Sequence, residues 1–298
     1  MYAEFDLHVP ADLNGALAAL AENNADGGIL PLAGGTNMIV DLRARTVAPA
    51  ALVSIARVPG IRGIEIADGR VRMGGRTTVS DMLRHDSLGG VAPSLVASAK
   101  VFAGQMVRNT ATVAGNICSG SPAADLVPPL LVLDADVTLT SGEGSRSVAL
   151  ADFYHGYKQM ERRPEELLTE VGFAVPPDNA ANLFYKLARR KGDAITVVGV
   201  AVGLSVEDGV CRGARIALGS VAPFVTRAAG AEAMLEGESL TPERIEAAAR
   251  TAMEGVSPID DVRASAGYRS HCVRTLTRRL LTMAGEQLTP GEPGGPRA

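Results

Sequence analysis

The sequence predicts an α+β fold, and three patterns predict it. Over residues 3–55 strand and helix patterns alternate, as in a βαβ unit. Asp-Gly pairs at Asp68-Gly69 and Asp208-Gly209 sit between alternating apolar runs, where tight hairpins need positive φ angles. Beyond residue 182 strand patterns come first and helix patterns follow.

Taken in order, Phe5, Leu7 and Val9 alternate with polar neighbours over 3–9, the pattern of a half-buried strand. Leu13, Leu17 and Leu20 recur at helical spacing over 10–23, and an Asn-Asn-Ala-Asp-Gly-Gly cluster from Asn23 ends that helix. A strand over 29–32, a turn at Gly34-Gly35, a helix over 37–43 and a strand over 52–55 complete a parallel βαβ unit. Ile64, Ile66, Val71 and Met73 flank the first Asp-Gly hairpin, and helices are expected over 79–85 and 91–103. A second glycine-bearing loop over 112–116 leads through Ser121-Pro122-Ala123-Ala124-Asp125 into the apolar run 126–133 and a hairpin around 141–145. This first domain is expected to close near Pro176-Pro177, with 176–182 as linker. Strands then fall over 183–189, 195–206 and 210–218. Helices are expected over 226–235, over 242–254 with Thr241 as N-cap, and over 266–283 with an apolar stripe at Val273, Leu276 and Leu280. The Pro- and Gly-rich tail is expected to be disordered.

Composition narrows the function. The 298 residues allow two domains, and 46% hydrophobic with 21% charged residues is an ordinary globular balance. A formal charge of −4, 4% aromatic residues and no Trp argue against a broad nucleic-acid surface. The cluster Arg189-Arg190-Lys191 reads as a solvated strand end. Cys118, Cys211 and Cys272 are too widely spaced for a chelating motif and read as reduced thiols. His8, His85, His155 and His271 are equally scattered, so no metal site is expected. No apolar run has bilayer length, and the first residues lack the basic and apolar regions of a signal peptide, so a cytoplasmic protein is expected.

The segment Ala33-Gly34-Gly35-Thr36-Asn37 is suited to hold a phosphate. Glycines admit close backbone approach, and N–H groups at the start of a helix point at an anion. Thr36 either caps the helix or donates its hydroxyl to the same phosphate. The alternative is a turn that merely closes a strand-helix junction, since neither a Rossmann nor a P-loop spacing is present. Thr112-Val113-Ala114-Gly115-Asn116 is a second such segment, and with it a diphosphate can be clamped from two sides. Asp125 is then free to accept hydrogen bonds from a ligand. An ordinary turn and helix cap are again the alternative.

The strings PLAGGTN, RNTATVAGNICSGSPAADLVPPLLVLDA and FYKLARRKGDAITVV occur in that order. With them the chain resembles, over nearly its whole length, the FAD-binding medium subunit of the molybdenum hydroxylases, the group of xanthine, carbon monoxide and nicotine dehydrogenases. The resemblance implies a two-part FAD-binding domain over 1–177, a small βαβ subdomain plus a mixed α+β subdomain. A C-terminal domain of antiparallel strands and helices over 178–286 and a tail over 287–298 complete it. It implies that Ala33, Gly34, Gly35, Thr36 and Asn37 with Thr112, Val113, Ala114, Gly115 and Asn116 bind the FAD diphosphate. Asp125 corresponds to the family's flavin-site aspartate and Lys186 to the lysine beside the cofactor. Phe102 and Leu168 match positions near the isoalloxazine, although core packing explains them equally well. Ala114 departs from the family's usual glycine, a strain of about 1 kcal/mol if that position needs positive φ.

By the same resemblance this chain transfers electrons and holds no catalytic residue for an organic substrate. The molybdenum cofactor belongs to a large partner subunit and the 2Fe-2S clusters to a small one, in a dimer of heterotrimers. A stand-alone flavin-dependent oxidoreductase of the same superfamily is the competing reading, and a scaffold subunit that has lost flavin is a third.

Overall fold

Asp12 opens the first helix by accepting from the Gly15 N–H at 2.7 Å. The computed structural model describes residues 4–22, 28–190 and 192–288. These fall in two units: Met1–Leu88, Phe102–Ser121 and Asp134–Ala174 form the first, and Gly89–Val101, Pro122–Leu133 and Val175–Ala298 the second.

In the first unit, β1 (Asp6–His8), α1 (Leu13–Ala21), β2 (Ile29–Leu32), α2 (Met38–Ala44) and β3 (Ala51–Ser54) form the expected parallel βαβ arrangement, in strand order β1-β3-β2. Ala16, Leu17 and Leu20 of α1 pack with Val53 and Ile55. The half-buried reading of the first strand is overturned, because Phe5, Leu7 and Val9 are 36%, 55% and 46% exposed. The register explains it: His8 lies beside Val53, so the helix-covered face of this edge strand carries its polar residues and the apolar ones turn away. Of the cluster expected to end α1, residues 23–28, all but Gly28 lie outside the described residues, as does Lys191.

A five-stranded antiparallel sheet follows. β4 (Ile64–Ala67) and β5 (Arg70–Gly74) meet at Asp68 and Gly69, whose φ values of 52° and 70° make the expected hairpin. Along the chain come α3 (Val79–Arg84), α4 (Leu88–Val91), α5 (Pro93–Val101), α6 (Gln105–Arg108), α7 (Val113–Cys118) and α8 (Val127–Val132), of which α5, α8 and all of α4 but Leu88 belong to the second unit. The helix expected over 91–103 is thus divided before Pro93 and ends at Val101. The hairpin β6 (Asp136–Ser141) and β7 (Gly144–Ala149), the two-stranded β8 (Tyr154–Gly156) and β9 (Gln159–Met160), and β10 (Leu167–Ala174) complete this unit. The large sheet has order β4-β5-β10-β6-β7. Its central strand β10 has no counterpart in the sequence reading, because it is buried on both faces and shows no alternation.

The second unit is built on β11 (Ala180–Ala188), β12 (Thr196–Glu207), β13 (Val210–Gly219) and β14 (Thr226–Arg227), antiparallel in that order. Residues 180–182, expected as linker, already belong to β11, and Thr226 and Arg227, expected as helix, pair with β13. The helices are α9 (Ala229–Leu235), α10 (Pro242–Glu254, capped by Thr241 as expected) and α11 (Ala266–Leu288). Of the tail expected over 287–298, Gln287 and Leu288 still belong to α11, and 289–298 lie outside the described residues. Along β12, Val198, Val200 and Val202 pack with these helices, while Gly203 lies so close to α8 that a Cβ would approach the Val132 carbonyl oxygen to 2.9 Å. No helix among the described residues is long and apolar enough to cross a membrane.

Candidate functional site

In the first unit the chain leaves β2 through Ala33 and turns at Gly34 and Gly35. Gly35 has φ +69°, a left-handed conformation suited to glycine. Gly34 has another reason to lack a side chain: a Cβ there would stand 1.9 Å from the Thr110 carbonyl oxygen. The N–H groups of Gly34, Gly35, Thr36 and Asn37 donate to no atom among the described residues. Asn37, not Thr36, is the N-cap of α2, and its side chain makes no capping bond. The hydroxyl of Thr36 therefore does not hold the helix start, since the turn enters α2 one residue later than the sequence suggests.

The second segment is a helix start rather than a loop. The Thr112 hydroxyl accepts from the Gly115 N–H at 3.0 Å, and the Asn116 N–H donates to the Thr112 carbonyl at 2.9 Å. Val113 and Ala114 are buried, with their N–H groups on the carbonyls of Thr77 and Gly75. The two segments meet at the Gly34–Thr110 contact and again where a Cβ on Gly115 would lie 3.8 Å from that of Ala33.

Ala114 is not strained. It lies in α7 and is not among the residues with positive φ, so the expected cost of losing the family's glycine does not arise. Ala114→Gly is instead expected to lower stability by about 1 kcal/mol, because a helical glycine is less favourable and a buried methyl is lost. Urea unfolding measures it, and a more stable glycine variant would refute the argument.

Gly75, which the sequence reading passed over, closes this region from below: a Cβ would stand 2.2 Å from the Leu168 carbonyl oxygen and 3.2 Å from the Ala114 methyl. Its only sequence signal is the Gly74-Gly75 pair at the end of a strand. Leu168 lies at the irregularity in β10 between Leu168 and Glu170, and its side chain is buried. Phe102 is also buried, and the guanidinium of Arg108 fixes its backbone by donating to the Phe102 and Ala103 carbonyls at 2.8 and 2.7 Å.

Leu168 is anchored from the preceding residues. Buried Glu166 accepts from Arg146 at 2.7 and 2.9 Å and from the Arg163 N–H at 2.8 Å. Burial pushes the Glu166 carboxyl up, but these hydrogen bonds outweigh it and hold the group below the ordinary carboxylate range. A depressed folded-state pKa gives stability that is present above the unfolded value of about 4.3 and is lost as pH falls through the folded value. Glu166→Gln is therefore expected to lose stability at neutral pH and to converge on the wild type in acid. Unfolding curves taken from pH 7 downward test this, and a constant difference at every pH would count against it.

The second unit holds the charged pair. Lys186, on β11, donates to Asp125 Oδ2 at 2.6 Å and to the Val101 carbonyl at 3.3 Å. Thr196, the first residue of β12, donates its hydroxyl to Asp125 Oδ1, and Ser98 donates to the Asp125 carbonyl at 2.6 Å. Asp125 is thus not free to await a ligand, as its place in the sequence suggested. Nor is this a surface pair, for the side chains of Lys186 and Asp125 are only 5% and 10% exposed. Burial pushes the Asp125 carboxyl up, against the opposing pull of Lys186 and Thr196. Thr196 and Ser98 escaped the sequence reading because single hydroxyl residues carry no spacing signal.

A strand-turn-helix junction with four unpartnered N–H groups, packed on a second glycine-bearing helix start, defines an α+β protein with a built anion cradle. Residues 3–176 match the FAD binding domain in molybdopterin dehydrogenase, and residues 183–284 match the CO dehydrogenase flavoprotein C-terminal domain. The chain belongs to this family of FAD-binding oxidoreductase subunits of the molybdenum hydroxylases. It is 31% identical to the putative xanthine dehydrogenase FAD-binding subunit of Escherichia coli (strain K12), over 93% of this chain and 94% of that protein. Among solved structures, the carbon monoxide dehydrogenase of Hydrogenophaga pseudoflava superposes with a TM-score of 0.92 at 29% identity, covering 96% of this chain and 99% of that one. Quinoline 2-oxidoreductase from Pseudomonas putida 86 gives 0.88 at 28% identity, covering 97% and 100%.

Proposed function

We propose that this chain is the flavin-carrying electron-transfer subunit of a cytoplasmic molybdenum hydroxylase. In this reading residues 1–177 hold FAD and residues 178–286 form the C-terminal domain. The observation that carries it is the row of unpartnered N–H groups at Gly34, Gly35, Thr36 and Asn37, which suits the oxygens of a diphosphate. Val113, Ala114, Gly115 and Asn116 support that turn from the facing segment, with Thr112 holding their helix start. By the family resemblance Asp125 and Lys186 act on the flavin end of the cofactor, and Phe102 and Leu168 are assigned to the same end. When bound, FAD supplies a carrier that accepts and releases one or two electrons.

The proposed assembly is a dimer of heterotrimers. A small subunit with 2Fe-2S clusters delivers electrons, and a large subunit with the molybdenum cofactor oxidises the organic substrate. The purified complex is expected to contain noncovalent FAD at about one per chain, released on mild denaturation. Stopped-flow mixing distinguishes this reading from a stand-alone flavoenzyme. Organic substrates should leave the isolated subunit's flavin oxidised and should reduce it once both partners are added. Rapid bleaching of the isolated flavin with product formed would overturn the assignment.

A further inference from the structure

We propose that Arg269 is a positioning residue for the Asp125–Lys186 pair, holding in place both segments that fix the Asp125 carboxylate; its functional side rests on the reading of that pair as flavin-site residues. Arg269 stands in the first turn of α11 and is 2% exposed. Its Nη1 donates to the Val197 carbonyl at 2.6 Å and to the Ser220 carbonyl at 3.1 Å, and its Nη2 to Asp261 Oδ1 at 2.8 Å.

Both carbonyls lead directly to Asp125. Val197 follows Thr196, whose hydroxyl donates to Asp125 Oδ1. Ser220 donates its N–H to the Pro122 carbonyl at 2.7 Å, and Pro122 begins the short segment that ends in Asp125. Ser220 is a non-glycine residue at φ +64°, a conformation that persists only where neighbours over-determine it. Arg269 and Pro122 are two such neighbours. One guanidinium thus joins the strand that supplies the hydroxyl partner to the turn that holds the carboxylate's own segment.

The chemistry of the side chain suits this task. A guanidinium is planar and carries donors in fixed directions on separate nitrogens, so here Nη1 reaches two carbonyls while Nη2 reaches a carboxylate, whereas an ammonium offers its donors from one nitrogen on a flexible stem and lacks that fork. Asp261 supplies the balancing charge and is itself preset. It accepts from the N–H groups of Arg263 at 2.8 Å and Ala264 at 3.2 Å and from the Arg263 guanidinium at 2.9 Å.

Arg269→Lys in the intact flavin-loaded complex tests the proposal, because it keeps the charge and removes the fork. Amide hydrogen exchange over 122–126 and 195–198 is expected to rise about tenfold in the variant. The flavin absorption band and midpoint potential are expected to shift in the direction seen for Thr196→Val and Asp125→Asn. Arg227→Lys, at the Arg227–Glu232 pair of 2.6 Å in the same unit, serves as a control that lowers the melting temperature without moving either readout. If Arg269→Lys only lowers the melting temperature, as this control does, while Thr196→Val and Asp125→Asn move the flavin, the proposal is overturned. If exchange rises in both segments but none of the three variants moves the flavin, the positioning stands and the flavin-site reading of Asp125 falls. Should Arg269→Lys fail to fold, Asp261→Asn keeps the fork and removes its charge partner. The same readouts should then move in the same direction, and unmoved readouts in a folded Asp261→Asn complex would overturn the proposal.

Discussion

Gly34→Ala is expected to yield protein without flavin and with unfolding free energy lowered by about 2–3 kcal/mol. The new methyl carbon would stand 1.9 Å from the Thr110 carbonyl oxygen and 2.5 Å from its carbon. Both are backbone atoms of a segment tied down on each side: the Thr110 N–H donates to the Val107 carbonyl at 3.1 Å, and the Val79 N–H donates to the Ala111 carbonyl at 3.0 Å. Neither can yield without moving α7, so the two segments must part and the row of N–H donors loses its shape. Gly35→Ala makes a useful contrast. Its cost is conformational, about 1 kcal/mol for a left-handed alanine, and its nearest neighbours are side chains at 3.5 Å. Gly89, with nothing within 4 Å of a Cβ, supplies the neutral control. The flavin-to-protein absorbance ratio and urea unfolding of the three alanine variants should rank Gly34 worst and Gly89 harmless. Equal effects at Gly34 and Gly89 would remove the steric argument.

Lys186→Met is expected to cost about 3–5 kcal/mol, the range for leaving one member of a buried ion pair alone. Asp125 would keep only the Thr196 hydroxyl, in a setting whose burial already pushes its carboxyl up. The sign of the pH dependence follows. A carboxyl whose folded pKa lies above its unfolded value of about 3.9 binds more protons in the folded state, so stability falls as pH rises between the two values. The deficit of Lys186→Met against the wild type should therefore shrink in mild acid. Adding Asp125→Asn should restore much of the loss, since the stranded charge is gone. A loss below about 1 kcal/mol, independent of pH, would mean that the pair behaves as a surface bridge.

The elements legible in the sequence are those with local causes. Asp68-Gly69 and Asp208-Gly209 set their hairpins by backbone conformation, and Thr241 before Pro242 sets the start of α10. What escaped depends on partners distant in sequence. β10 lacks alternation because sheet neighbours and helices bury both its faces, and β1 alternates although its apolar side is exposed. At the site, glycines announced the two segments, but their closeness comes from a contact between Gly34 and Thr110 that no local pattern encodes. The Asp125–Lys186 pair spans 61 residues, so its two members were visible and their bond was not.

The burial of α8 bears on how the chain is made. All residues from Leu126 to Leu133 are buried, and this helix packs on β11, β12 and β13, which emerge from the ribosome later. Until those strands are synthesised, a growing chain that has completed its first 176 residues carries an apolar segment with only α5 against it. Synthesis thus passes through a stage that invites chaperone binding or aggregation, although the finished subunit hides the segment fully. A fragment ending at residue 176 is expected to precipitate where residues 1–288 stay in solution. A monodisperse fragment would show that the helix finds cover without the later strands. Exchange of the C-terminal segment between relatives carries the same constraint, because an imported sheet must arrive with a surface that fits Val132 against Gly203.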